Sequence, residues 1–248
     1  MEPQLLHRVE DGVATAVIHH PQKRNAMTAA MWEALPPLLG RLATDPAVRV
    51  LVLRGEGRTF CAGADISSLV EAPEKAQHLA VLAEEALAAF PKPTLAAVQG
   101  HCVGGGVQLA AACDLRFAEE GALFGVTPAK LGIVYPASST RRLASLVGPG
   151  AAKYLLFSAE LVDANRALRT GLLEEVLPEG GLDQRVAEFT HVLASRSRLT
   201  QAAAKDFANG RVDRDAYWTA HARGSGDVAE GVSAFLERRK PQFTWPES

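Results

Sequence analysis

The chain has 248 residues, 48% hydrophobic and 22% charged, a globular composition that excludes wholesale disorder. A formal net charge of −2 supplies no electrostatic footprint for nucleic acid, and no apolar run approaches the ~20 residues of a membrane span. Met1 to Glu10 carries acids in place of a signal peptide's blocks, and Cys61, Cys102 and Cys113 are odd in number without metal-ligand spacing. A cytoplasmic protein with reduced thiols, no metal, and one core with or without an appendage is therefore expected.

Leu5 to Glu10, the Asp11-Gly12 turn and Val13 to His19 in apolar alternation read as a hairpin. His19 and His20 lead into the polar loop Pro21 to Asn25 and are expected to be exposed. Thr28 can cap a helix through Met31, Trp32, Leu35 and Leu38 to Leu42, disturbed by Pro36-Pro37. After the breaker Asp45-Pro46, Val48 to Leu53 is the uninterrupted apolar run of a strand covered on both faces. The order β, α, β implies a crossover and an α/β layered fold.

Two turns built from small residues follow. The first, Phe60-Cys61-Ala62-Gly63-Ala64-Asp65-Ile66, ends a buried strand, with Asp65 placed to cap the next helix. Pro73 to Phe90 has a helical apolar period, and Thr94 to Gln99 is β-prone. The second turn, Gly104-Gly105-Gly106, opens a helix that runs through Gln108 to Ala112 before a strand at Leu115 to Ala118. Its spacing fits neither G-x-G-x-x-G nor a phosphate loop. Glycine turns expose backbone N–H groups, and two such turns, each after its own strand, could aim two donors at one developing oxyanion, although close helix–strand packing would also demand small residues.

Phe60 to Asp65, Lys92-Pro93-Thr94 through Gly106, Cys113-Asp114-Leu115 and the tail Gly231 through Phe243 together resemble the enoyl-CoA hydratase/isomerase, or crotonase, superfamily over nearly the whole chain. The resemblance implies an α/β spiral of ββα units, the crotonase (ClpP-like) fold. Residues 1–192 would form the spiral core, and 193–248 a helical region mediating homotrimers or dimers of trimers. It implies an acyl-CoA thioester as substrate, with coenzyme A entering as part of it and no separate cofactor. The oxyanion donors would be the N–H groups of Ala64 and Gly105. Arg24, Ala62 and Ile66 match backbone contacts to coenzyme A, with Lys23 and Arg24 available for phosphate charge and Ala64 and Asp65 in the same segment. Arg238 and Phe243 lie in a tail whose basic and aromatic residues reach coenzyme A on a neighbouring subunit, although such a run, taken alone, is more often a solvated helix end.

The departures bear on the reaction. The glutamate pair that handles protons in the family's hydratases is replaced by Gln108 and Pro128, neither of which transfers a proton as glutamate does. Losing each role would slow hydration by about 10²–10⁴-fold if nothing replaced it. Loss of CO₂ from a 2-carboxyacyl thioester needs no base, because the breaking C–C bond supplies the enolate electrons. Phe124 to Tyr135 is similar to the methylmalonyl-CoA decarboxylase branch, with Thr127-Pro128 in place of Pro-Glu and Tyr135 placed to bond the departing carboxylate or reprotonate the enolate. Decarboxylation is therefore the first expectation. A hydratase or isomerase with relocated acid/base groups, and a non-catalytic acyl-CoA binder, are the alternatives. Tyr135 reads equally as a core tyrosine and Gln108 as a group satisfying buried backbone, while Thr127 reads first as a turn residue and second as a ligand contact.

Past Tyr135 the chain turns helical. Ser138-Ser139-Thr140 can cap a helix that ends at Gly148-Pro149-Gly150, followed by Ala151 to Phe157 and a helix from Asp163. Leu172 to Leu177 reads as a strand, then Leu182 to Ser195, Thr200 to Asn209 and Val228 to Lys240 as helices, with Gly224-Ser225-Gly226 a hinge.

Overall fold

A computed structural model describes residues 2–67 and 73–245. The chain opens with the antiparallel pair β1 (Gln4–Glu10) and β2 (Val13–His19), and Asp11 and Gly12 both take positive φ at the turn. α1 (Ala29–Thr44) starts where Thr28 Oγ1 accepts a hydrogen bond from the Met31 amide, 3.3 Å away. Pro36 and Pro37 lie inside the helix without ending it, and Leu35, Leu38, Leu39 and Leu42 stay buried around them.

Three turns of a repeated unit follow. β3 (Val50–Gly55) leads to α2 (Pro73–Ala88); β4 (Thr94–Val98) and β5 (His101–Val103) to α3 (Gly105–Ala112); β6 (Leu115–Glu119) and β7 (Leu123–Gly125) to α4 (Ala137–Ser158). The first strands of the units pair with one another in parallel, and a six-stranded sheet runs β1-β2-β3-β4-β6-β9, closed by β9 (Glu175–Leu177). The second strands form their own sheet, with β5 parallel to β7 and β7 antiparallel to β8 (Val162–Asp163). This is a ββα spiral. Strands β5 and β7 have only three residues each, too few to show alternation in sequence.

In the β3 unit the second strand shrinks to a bridge between Cys61 and Cys102, and one turn earlier Met27 bridges Ala64. The main core lies between the sheets and the helices, with Trp32, Phe60, Leu87 and Phe124 at most 1% exposed. Each such side chain contributes about 1.5–3 kcal/mol of transfer free energy. A smaller core of Val52, Leu95, Phe117 and Leu182 lies under α6 (Leu182–Ala194).

α4 is two helices meeting at Gly148, whose φ of 74° and ψ of 159° are not helical, so the expected break falls there. Its N-cap is Pro136, not the serine cluster, and Ser139 turns inward instead. α5 (Ala164–Arg169) is capped by Asp163, whose Oδ1 accepts from the Arg166 amide at 2.7 Å. The C-terminal region is helical: α7 (Arg198–Ala208), α8 (Asp215–Ser225) and α9 (Asp227–Leu236), with Gly226 at φ 75° joining the last two. α8 has no counterpart in the sequence reading, since Trp218 is its one buried residue and no stripe marks it. The helix expected after Asp65 begins at Ile66 and Ser67, and its continuation, like the last three residues of the C-terminal region, lies outside the described residues.

His19 and His20 are corrected from exposed to buried, at 4% and 6% exposure. The loop after β2 folds back over them: His20 Nδ1 lies 2.8 Å from the Ala26 carbonyl, and the His20 amide donates to Asn25 Oδ1. Among the described residues no helix is long and apolar enough to cross a membrane, and no group of three or more His, Cys, Asp or Glu side chains could hold a metal ion.

Candidate active site

The spiral brings the two glycine turns together. Cys61 donates its amide to the His101 carbonyl and accepts from the Val103 amide, while the Asp65 amide donates to Met27. These bonds lock the strand-to-turn segment 61–65 against the one at 101–105, forty residues further along the chain. A Cβ built on Gly105 would lie 3.4 Å from the Ala64 nitrogen, and one built on Gly63 would lie 3.6 Å from the Gly105 nitrogen. Neither amide donates to a backbone carbonyl among the described residues, and Gly105 is the first residue of α3, where helical N–H groups are free. Two free donors a few ångströms apart, one backed by a helix dipole, can hold a single anionic oxygen.

Both open onto one pocket lined chiefly by apolar side chains. Its walls include Ala62, Ala64 and Ile66 from the first turn, Gly105 and Gln108 from the second, Thr127, Pro128 and Tyr135 from the segment after β7, and Trp32 from α1. The six residues expected to serve catalysis therefore share one cavity. Of the expected coenzyme A contacts, Ala62, Ala64 and Ile66 line it; Lys23, Arg24, Asp65, Arg238 and Phe243 do not. Arg24 sits next to it through its carbonyl, which accepts from the Ala62 amide. Lys23 is engaged already: its ammonium lies 2.7 and 3.0 Å from the Asp65 carboxylate oxygens. In the tail, Arg239 pairs with Glu230 and Glu237, and Phe243 lies against Gly231.

Titratable groups at the pocket are few. Burial pushes the Tyr135 phenol far above its ordinary value, so it is a neutral donor at physiological pH. No hydrogen-bond partner of its hydroxyl is found among the described residues. Glu74, exposed at the start of α2, brings the one carboxylate found on the lining among the described residues.

Sequence reasoning missed the carboxylate behind the wall. Glu84 of α2 is fully buried, ion-paired with Arg142 of α4, and accepts hydrogen bonds from Ser139 Oγ and, at 2.7 Å, from Gln108 Nε2. Gln108 therefore satisfies a buried side chain, not backbone. The signal lay in α2, where Glu84 interrupts the stripe Ala76, Ala80, Ala83, Leu87 at helical spacing. Trp32 was read only as part of a helix face, and its ring edge would lie 2.9 Å from a Cβ on Gly105.

A ββα spiral that sets two unpartnered amides side by side at its second-strand turns defines a fold able to hold an oxyanion. The family model described as enoyl-CoA hydratase/isomerase matches residues 8–246, and the chain belongs to that family. A crotonyl-CoA hydratase of Syntrophomonas wolfei is 34% identical over 94% of this chain and 95% of its own length. Among solved structures, an enoyl-CoA hydratase/isomerase family member superposes with a TM-score of 0.93 at 37% identity, covering 100% of this chain and 99% of its own. An enoyl-CoA hydratase from Bacillus anthracis does so at 0.92 and 28% identity, covering 98% and 99%.

Proposed function

We propose that this chain is an acyl-CoA enzyme that binds a thioester carbonyl between the Ala64 and Gly105 amides and hydrates or isomerises 2-enoyl thioesters through the resulting enolate. The observation that carries the reading is the pair of unpartnered amides, adjacent in space, at the wall of an apolar pocket. Charge that develops on the thioester oxygen meets donors already in place, the arrangement that stabilises an enolate most. The similarity to enzymes named as crotonyl-CoA and enoyl-CoA hydratases favours this chemistry over decarboxylation, the first expectation from the sequence.

Water addition still requires proton transfer. With Gln108 and Pro128 at the usual positions, Glu74 is the candidate for the relocated carboxylate and Tyr135 for a neutral donor. Decarboxylation remains the second reading, favoured by the neutral Tyr135 hydroxyl at a wall that presents no buried carboxylate among the described residues. Assembly as a trimer or hexamer, with Arg238 and Phe243 reaching a neighbour's coenzyme A, belongs to the same proposal.

Incubation with crotonyl-CoA, malonyl-CoA and methylmalonyl-CoA separates the readings. Loss of the enoyl absorbance with crotonyl-CoA supports the first, and Glu74→Gln should lower that rate by about 10²-fold or more. Release of CO₂ without hydration would replace it by the second, and Tyr135→Phe should then slow that release. Tight binding with no turnover of any of the three would leave only the non-catalytic acyl-CoA binder.

A further inference from the structure

We infer that Glu84 is a positioning residue that fixes the Gln108 carboxamide with its carbonyl oxygen toward the acyl pocket, so that the site selects thioesters whose acyl chain carries a hydroxyl. The inference rests on the proposed thioester site and specifies its ligand.

The Glu84 carboxylate is inside the protein with both oxygens occupied: Oε1 faces the Arg142 guanidinium, and Oε2 accepts from Ser139 Oγ and from Gln108 Nε2 at 2.7 Å. An ion-paired carboxylate only accepts hydrogen bonds. The Gln108 amide must therefore turn its NH₂ inward, whichever way a free glutamine would settle, which leaves Oε1 as the edge of the amide that Glu84 does not hold. Gln108 lines the pocket, is 5% exposed, and its Oε1 has no partner among the described residues. The cavity thus receives a fixed neutral acceptor in a lining that is chiefly apolar and also carries the Glu74 carboxylate and the hydroxyls of Thr127 and Tyr135. Such an acceptor rewards a ligand O–H and leaves a methylene opposite an unsatisfied oxygen.

The same geometry explains why this position is not glutamate here. A carboxylate at 108 would face Glu84 at hydrogen-bond distance, and one of the two would have to keep a proton. Glutamine meets Glu84 as a donor and the pocket as an acceptor.

The test is the ratio of dissociation constants for butyryl-CoA and 4-hydroxybutyryl-CoA, neither of which the proposed hydration turns over, measured by calorimetry on the full chain. The wild type should prefer the hydroxy thioester by about 5- to 10-fold, the worth of one added hydrogen bond to a neutral acceptor. Gln108→Leu should bring the ratio to about 1. Glu84→Gln, which lets the Gln108 amide turn over, should bring it below about 2, a change that loss of packing alone would not produce. A wild-type ratio near 1, or one unchanged in Gln108→Leu, overturns the inference while leaving the thioester site intact. Failure of the wild type to bind either thioester overturns the site itself. If Glu84→Gln does not fold, Gln108→Leu decides.

Discussion

Gly105→Ala places a methyl group at the point where the proposed oxyanion site, Trp32 and Ala64 meet. The new carbon would lie 2.9 Å from Trp32 Cζ2, 3.3 Å from Cη2 and 3.4 Å from the Ala64 nitrogen. Ordinary contact begins near 3.4 Å, so roughly 0.5 Å must be found. Trp32 is 1% exposed and cannot swing away, and the displacement therefore passes to the two amides. Overpacking of this kind costs about 1–3 kcal/mol, offset by the 0.5–1 kcal/mol that alanine gains over glycine in a helix. The melting temperature should fall by only a few degrees in a chain of this size. At the site, misplacing a donor by a fraction of an ångström and filling its approach should reduce kcat/KM for a thioester by about 10- to 100-fold. Circular dichroism melts and steady-state kinetics on the same preparation give both numbers. Gly40→Ala in α1, where an added Cβ meets nothing within 4 Å, is the control and should leave kinetics unchanged. Trp32→Phe combined with Gly105→Ala should recover part of the loss, because the two side chains share the contact. A well-folded Gly105→Ala enzyme with kcat/KM within threefold of wild type would refute the placement of the thioester oxygen.

Burial pushes the Asp65 carboxyl up, but Lys23 and Ser67 outweigh it and hold it below the ordinary carboxylate value. A depressed folded pKa stabilises above the unfolded pKa and is lost as pH falls through the folded one, so Asp65→Asn should cost about 0.5–1 kcal/mol at pH 7, with the gap in melting temperature narrowing as pH falls below the ordinary carboxylate range. Burial raises all three thiols, Cys61 and Cys113 to about 12 and Cys102 upward as well, so a disulfide reagent should find no reactive thiol in the native protein and three after guanidinium denaturation. Any fast native reaction would contradict the burial of these cysteines. Gln108→Glu should destabilise by about 1–3 kcal/mol through repulsion from Glu84, whereas the exchange Glu84→Gln with Gln108→Glu should regain only part of that stability, because Arg142 keeps Glu85 but loses Glu84; equal melting curves for the single and double variants would show that the two positions do not interact.

Much of the fold was legible because its long elements carry their own periodicity. The alternation of Val13 to His19, the apolar run into β3 and the stripe of α2 each specify an element without reference to the rest. Elements that depend on distant partners were not legible. β5 exists because it pairs with β7 and bridges Cys61, and β7 because it pairs with β5 and β8, and three residues cannot signal that in sequence. The burial of His19 and His20 follows from a loop closure at Asn25 and Ala26 that composition does not reveal.

For the site, the sequence announced both backbone turns but not their meeting. The residues that bring Ala64 to Gly105 are the bridges Met27 to Ala64 and Cys61 to Cys102, and a register of that kind is a property of the stacked spiral. Gln108 was legible as a departure and misleading as a loss. Read alone, it removes a carboxylate from the acyl pocket. Within the structure a carboxylate stands directly behind it, its charge taken up by Arg142 and one of its lone pairs by Gln108 itself. A buried acid one layer from the chemistry cannot exchange protons with a thioester it does not touch, but it can decide which face of the intervening amide the thioester meets. That control follows from Glu84 occupying an apolar helix stripe, the one place in α2 where a charge had to find partners on two other helices to be tolerated.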